Sequence, residues 1–280
     1  MKLADAHLHL FRRGYHDRYG RGWAARSELD LYEALRQAHG IERGLVIGYE
    51  GQPRFRGNNR DLAAWARKHP WITPLAFVPA GRPPSAAALE KLFRVGFAGI
   101  AIYCDGPKEA ERVRDWPAAV ANSLGERRAI VSVNSGPDGL GIIAPFLARL
   151  AGGSVLVSHL GLPGSHPAAP SRVRAKAILA PLIALARQPH VGVKVSGLYA
   201  VSDPSHAYPH VAAHPFIRVL HDAFGPGRLC WGSDFSPALE HVSFAQTIDA
   251  IHSLGWPDSV VRGVLGGNLS ALLRTASAGS

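Results

Sequence analysis

The sequence predicts an α/β protein built as one (β/α)8 barrel, on three observations. Short apolar runs alternate with amphipathic stretches about eight times, that alternation uses nearly all of the 280 residues, and the connections are long on one side only. The strand-like runs are 2–8, 44–48, 72–78, 98–103, 129–133, 154–158, 191–195 and 229–232. Between them, 28–39, 59–68, 86–95, 109–124, 139–150, 172–187 and 216–224 carry apolar residues at three- and four-residue spacing, as in Leu29, Leu31, Leu35 and Ala38. Strand and helix in strict alternation call for a parallel sheet with right-handed crossovers, and this many units favour closure into a barrel over an open sheet. The helix-to-strand connections are short (40–43, 69–71, 96–97, 188–190, 225–228). Several strand-to-helix connections are long (11–27, 49–58, 160–171, 197–213), which elaborates the face where barrel enzymes build their sites. The whole of 1–280 is expected to form one domain, with 275–280 as a frayed tail.

Composition narrows the function. A hydrophobic fraction of 47% with 19% charged residues excludes a disordered chain. The formal charge of +10 invites a nucleic-acid reading, but the 31 cations are mostly arginine and are spread along the sequence, without a basic, aromatic-interleaved strip. No nucleic-acid partner is expected, and a small-molecule substrate, anionic or neutral, is. Cys104 and Cys230 each lie inside a strand-like run, which argues against a disulfide and for a reducing compartment. With no apolar signal core near Met1 and no run approaching the ~18 residues of a membrane span, the expectation is a cytoplasmic protein with no membrane partner. Homo-oligomerisation stays open.

The first strand ends Asp5-Ala6-His7-Leu8-His9. Side chains at i and i+2 of a strand share a face, so both imidazoles point into the barrel mouth, where they suit a divalent metal or can polarise a carbonyl without one. The sixth strand delivers His159 and the eighth delivers Asp234 at the same level. A buried aspartate demands a partner or a metal; the alternative role for Asp234 is to cap a helix starting at Ser236-Pro237. Tyr49, Tyr103 and Tyr199 follow the second, fourth and seventh strands, where each is either a phenolic donor to substrate or packing. Tyr15, His16, Tyr19 and Trp23 on the first long loop suit a lid over a ring-shaped ligand or serve as loop anchors. Lys194 shares the face of Ser196 but lies deeper, so a catalytic role is the minority reading. His206, His210, His214 and His221 are interrupted by Pro209 and Pro215 and read as surface or loop structure.

These segments, together with Gly57-Asn58-Asn59-Arg60, Gly96-Phe97-Ala98-Gly99-Ile100, Ser158-His159-Leu160-Gly161, Lys194-Val195-Ser196-Gly197-Leu198-Tyr199 and Trp231-Gly232-Ser233-Asp234, span nearly the whole chain. In that order they resemble the amidohydrolase superfamily. Within it the chain is similar to the amidohydrolase-related branch of pyrone-dicarboxylate lactonase-like, sugar-lactonase-like and aminocarboxymuconate-semialdehyde-decarboxylase-like enzymes. The resemblance implies a distorted barrel whose His7, His9, His159 and Asp234 form the catalytic centre, with Asp234 as the base for the attacking water. Two departures follow. Asn134 stands where metal-binding members place a fifth-strand histidine, and the fourth strand offers Ala101 rather than a bridging lysine or a carboxylate-clamping arginine. A two-metal centre is thereby excluded from the expectation. One divalent ion, zinc first, on His7, His9 and Asp234 and a metal-free centre remain as alternatives. Asn134, Tyr103, Tyr199, Tyr49, Arg54 and Ser196 are the expected substrate-binding set, with Arg54, Arg56 or the first-loop arginines supplying charge for an anionic substrate. The expected activity is hydrolysis of a lactone or cyclic amide, with a metal-dependent decarboxylase or hydratase as the alternative.

Overall fold

In the computed structural model, residues 2–15 and 27–277 are described. Eight strands, β1 (Leu3–Leu8), β2 (Ile41–Ile47), β3 (Ile72–Pro79), β4 (Gly99–Cys104), β5 (Ile130–Ser135), β6 (Ser154–Val157), β7 (Val191–Val195) and β8 (Leu229–Trp231), form one sheet in sequence order, every pairing parallel. The ring closes at its mouth, where Leu8 bridges Phe235 and the Asp234 amide donates to the His7 carbonyl at 2.8 Å. This is the (β/α)8 barrel that the alternation predicts.

Period-two patterning sorts the strands into two cores. Val131, Val133, Val155, Val157, Val193 and Val195 face outward onto the helices. Ala4, Leu45, Leu75, Ala101, Ile130, Leu156 and Cys230 fill the interior, which Leu269 of the helix Asn268–Ser277 plugs from below. Above that layer the inward positions turn polar at Ser132, Asn134, Ser158, Lys194 and Ser196, and this polar layer is the floor of the site.

Several boundaries differ from the sequence expectation, each for a local reason. The helix predicted over 109–124 is two, Pro107–Arg114 and Ala118–Glu126, divided where Pro117 removes an amide donor. In the same way Pro181 divides 172–187 into Arg172–Ile178 and Ala180–Leu185. β2 starts at Ile41 because Gly40, at φ 67°, ends the helix Glu28–His39 at once. Residues 275–277 of the expected tail form the last turn of the helix Asn268–Ser277, whose apolar face packs on the barrel interior, and 278–280 lie outside the described residues. His210 is buried, not a surface residue; it precedes the helix His214–Phe224, which holds His214 and His221. Cys104 and Cys230 are free thiols, and among the described residues no helix is long and apolar enough to cross a membrane.

Candidate active site

The site begins with a buried strut. The Asp5 carboxylate accepts from the amides of His7 (3.0 Å) and Ser233 (2.9 Å), from the Ser233 hydroxyl and from the Tyr32 phenol (2.8 Å). Burial nevertheless raises its pKa to about 6 against those four donors. One carboxyl group thus ties β1 to β8 and to the helix beneath, and sets the backbone from which His7 and Asp234 project. Gly232 is required at this seam, since a Cβ there would lie 2.7 Å from His7 Cβ.

His7, His9, His159 and Asp234 converge at the mouth as the sequence predicts. The Nε2 atoms of His7 and His9 are 3.3 Å apart, His7 Nε2 is 3.6 Å from Asp234 Oδ1, and His159 Nδ1 is 3.9 Å from Asp234 Oδ2. The Tyr199 hydroxyl donates to Asp234 Oδ2 at 2.8 Å. Asp234 is therefore a paired, buried carboxylate at the head of the ring rather than a helix cap. His159 (φ 51°) and Asp234 (φ 54°) both adopt left-handed backbone, a conformation that costs a non-glycine residue roughly 1–2 kcal/mol and concentrates at functional sites.

Hydrogen bonds set the state of each ring. His9 Nδ1 donates to the Ile47 carbonyl at 2.8 Å, which leaves its Nε2 lone pair in the site. The Ser196 hydroxyl accepts from the His159 amide (3.4 Å) and lies 3.1 Å from His159 Nδ1; when its own proton goes to that nitrogen the ring hydrogen sits on Nε2. Ser196 thus holds His159 from behind, and it is not among the residues that line the cavity below. Burial pushes the pKa values of all three histidines down, His9 to about 4, with Asp234 opposing the shift at His9 and His159 and the Lys194 charge adding to it at His7. They are neutral imidazoles at neutral pH. Tyr199 is pushed well up by burial and by Asp234, so it remains a donor.

Lys194, the minority reading from the sequence, belongs to this network. Completely buried inside β7, its Nζ is 3.1 Å from His7 Nδ1 and donates to Ser132 at 2.6 Å, and burial lowers its pKa to about 7. Its alternation with Ser196 was the available signal, and its depth, which argues against direct catalysis, is what places it under His7.

The donor set fits one divalent ion. His7, His9 and Asp234 each offer a ligand atom within 4.8 Å of the others, and the 3.3 Å imidazole separation equals the edge of a tetrahedron with zinc–nitrogen bonds of about 2.0–2.1 Å. This ligation requires the His7 hydrogen on Nδ1, where Ser158 Oγ stands 3.3 Å away. When Lys194 donates to Nδ1 instead, the hydrogen sits on Nε2 and His7 bonds to His9. One ring can serve a metal or the hydrogen-bonded chain, but not both at once.

The centre opens into a cavity of about 360 Å³ lined by Tyr15, Tyr49, Arg54, Tyr103, Asn134 and Tyr199, among others. The expected substrate-binding residues are thus in its wall, except Ser196. Tyr103 is the most telling: its hydroxyl is enclosed and has no hydrogen-bond partner. Phe11 and Phe55, stacked with centroids 4.1 Å apart, and Asp105 also line the cavity and carried no sequence signal of their own. Arg12 instead pairs with Asp61 at 2.9 Å, and Arg56 is not among the lining residues. His16, Arg18, Tyr19 and Trp23 lie outside the described residues.

Comparison with known proteins agrees with this architecture. No curated protein matches the chain. Among solved structures, a zinc-bound amidohydrolase from Burkholderia multivorans is 20% identical with a TM-score of 0.75, covering 99% of both chains. A putative 2-pyrone-4,6-dicarboxylic acid hydrolase from Pseudomonas putida is 24% identical at 0.73, over 98% of both. The 5-carboxyvanillate decarboxylase of Sphingomonas paucimobilis is 12% identical at 0.64, over 98% of this chain and 99% of that one. At these identities the likeness is one of fold. The amidohydrolase family model matches residues 4–275, nearly the whole length, and the chain belongs to the amidohydrolase family.

Proposed function

We propose that the protein hydrolyses a cyclic ester or amide, a lactone first, with Asp234 as the general base. The observation that carries this reading is the Asp234 carboxylate at the mouth, fixed by Tyr199 on one oxygen and facing His7 and His9 across the other. Asp234 accepts the proton of the attacking water while the Nε2 hydrogen of His159 donates to the carbonyl oxygen as negative charge develops on it; as the tetrahedral adduct collapses, the bond from the carbonyl carbon to the ring oxygen or nitrogen breaks and that leaving atom takes the proton back from Asp234. A zinc-like ion, when bound by His7, His9 and Asp234, supplies Lewis acidity at the same place. The hydroxyls of Tyr103 and Tyr49 and the amide of Asn134 orient the ring.

The wall favours a substrate with little charge. Among the described lining residues Arg54 is the one arginine or lysine, Asp105 and Asp234 are the carboxylates, and no arginine stands on β4. Against the described wall, one guanidinium would meet the two carboxylates of a dicarboxylate such as the one in the name of the P. putida relative, and a hydroxylated, neutral lactone is the reading those residues support. A decarboxylase or hydratase is the second reading, supported by the three-donor metal set and by the decarboxylase among the similar folds.

The test is a panel of sugar and aromatic-pathway lactones, with and without chelator, on the wild type and on Asp234→Asn. Asparagine tolerates left-handed backbone and fills the same space, so the fold should stay while kcat falls by roughly 10²–10⁴. Near wild-type turnover by Asp234→Asn refutes the assignment, and carbon dioxide release from a carboxylated substrate moves it to the second reading.

A further inference from the structure

The arginines that look scattered in sequence are not scattered in space. Opposite the active site, beneath the barrel, lies a second cavity of about 900 Å³ between the strand N-termini and the helix Asn268–Ser277. Five arginines from four segments line it: Arg43 of β2, Arg94 at the end of the helix Ala86–Arg94, Arg127 and Arg128 before β5, and Arg274 of the last helix. The two carboxylates in its wall are already engaged, Glu42 with Lys2 at 3.0 Å and Glu90 with Arg127 at 2.5 Å. Arg43 gives one nitrogen to the Pro70 carbonyl. Among the described residues, Arg94, Arg128 and Arg274 have no carboxylate within ion-pair distance, so the five arginines of the wall outnumber its two carboxylates and three of them have no ion-pair partner.

Two further features set this cavity apart from an ordinary basic surface. Arg128 adopts φ 48° at the end of the helix Ala118–Glu126, a left-handed position where glycine is free of strain and arginine is not. Phe97 is buried in the wall and Phe93 half-buried, which gives the basic rim an apolar back. A volume at the upper end of the ~300–1,000 Å³ typical of ligand sites is far larger than a single oxyanion needs. Guanidinium forks match phosphate oxygens in pairs, and condensed phosphates carry three or four negative charges in the least space.

We propose that this basal cavity binds a small organic molecule bearing two or more phosphate groups, held by Arg94, Arg128 and Arg274 with Arg43 in support. The site is separate from the catalytic mouth and does not depend on the reaction proposed there. Its concave, helix-covered shape favours a small ligand over a polynucleotide.

Calorimetric titration at about 0.15 M salt tests this, with inorganic tripolyphosphate and ATP as probes, citrate as a carboxylate control and a single-stranded oligonucleotide in parallel. Saturable one-to-one binding of tripolyphosphate and ATP is expected. It should weaken by roughly tenfold or more for each of Arg94→Gln and Arg274→Gln, because each removes charge-assisted hydrogen bonds. Both side chains are exposed and make no ion pair, so the variants should melt with the wild type, and Asp234→Asn should bind the probes unchanged. Absence of saturable binding, equal binding of citrate, insensitivity to both substitutions, or tighter and equally arginine-dependent binding of the oligonucleotide would each overturn the proposal.

Discussion

Replacing Lys194 by methionine turns a buried amine into an apolar chain of similar length, and its effect should depend on pH in a calculable way. In the unfolded chain this amine titrates near 10.5; in the folded protein burial lowers the value to about 7. Between those two values the unfolded state holds the extra proton. The wild type is therefore penalised as pH falls from 10.5 towards 7, and the stability present at high pH is lost over that window. One proton corresponds to about 1.4 kcal/mol per pH unit, so the full window is worth on the order of 5 kcal/mol. Lys194→Met lacks this slope. It carries a constant penalty of about 1–3 kcal/mol for each buried partner left without its hydrogen bond, here Ser132 Oγ and His7 Nδ1. Cys230, which faces Lys194, is pushed up to about 12 by burial and stays a thiol in the native state. Urea unfolding from about pH 7.5 to about pH 9.5 should show the wild type gaining on the variant by roughly 2–3 kcal/mol. Parallel curves would refute the idea that the lysine is stored in the barrel at the expense of its charge.

Two other substitutions probe the site from different sides. Gly197 sits at φ 61°, and a Cβ there would lie 2.5 Å from His159 Nδ1. Gly197→Ala should cost about 1–3 kcal/mol in thermal or chemical unfolding and lower kcat more than it alters KM, since the His159 ring must leave Ser196; an unchanged kcat would show that His159 is not held for catalysis. Tyr103→Phe removes an enclosed hydroxyl that has no partner, so stability should hold or rise by up to about 1 kcal/mol. KM on a turned-over lactone should rise about three- to tenfold, and a loss of stability with unchanged KM would mean that the hydroxyl serves the fold alone.

Strand order, barrel closure and the His7/His9/His159/Asp234 constellation were legible because they depend on local periodicity. An i, i+2 pair on a strand and single residues at strand ends need no knowledge of long-range packing. What stayed hidden depends on several elements meeting. Asp5 becomes a strut only when Tyr32 and Ser233 arrive from a helix and from the far end of the sheet. Ser196 is on the right face to reach the site, and its contact with His159 appears only when β7 and the loop after β6 are brought together. Two helix runs read as continuous because apolar spacing persists across Pro117 and Pro181, and the backbone break is invisible to that pattern. The basal arginines come from segments with nothing in common along the chain, so composition registered their number but not their convergence.

The closure of the ring at Asp5, His7, Ser233 and Asp234 also bears on how the protein is made. Asp5 and Ser233 are 228 residues apart in sequence, yet their contact sets the geometry of the centre. During synthesis the first strand must wait, with its polar groups unmatched, until the eighth has left the ribosome, and long-range pairing of this kind is slow and exposed to aggregation. No partial barrel can be active, so the appearance of turnover in a refolding experiment would time the last event, the joining of the two ends, independently of when the helices form.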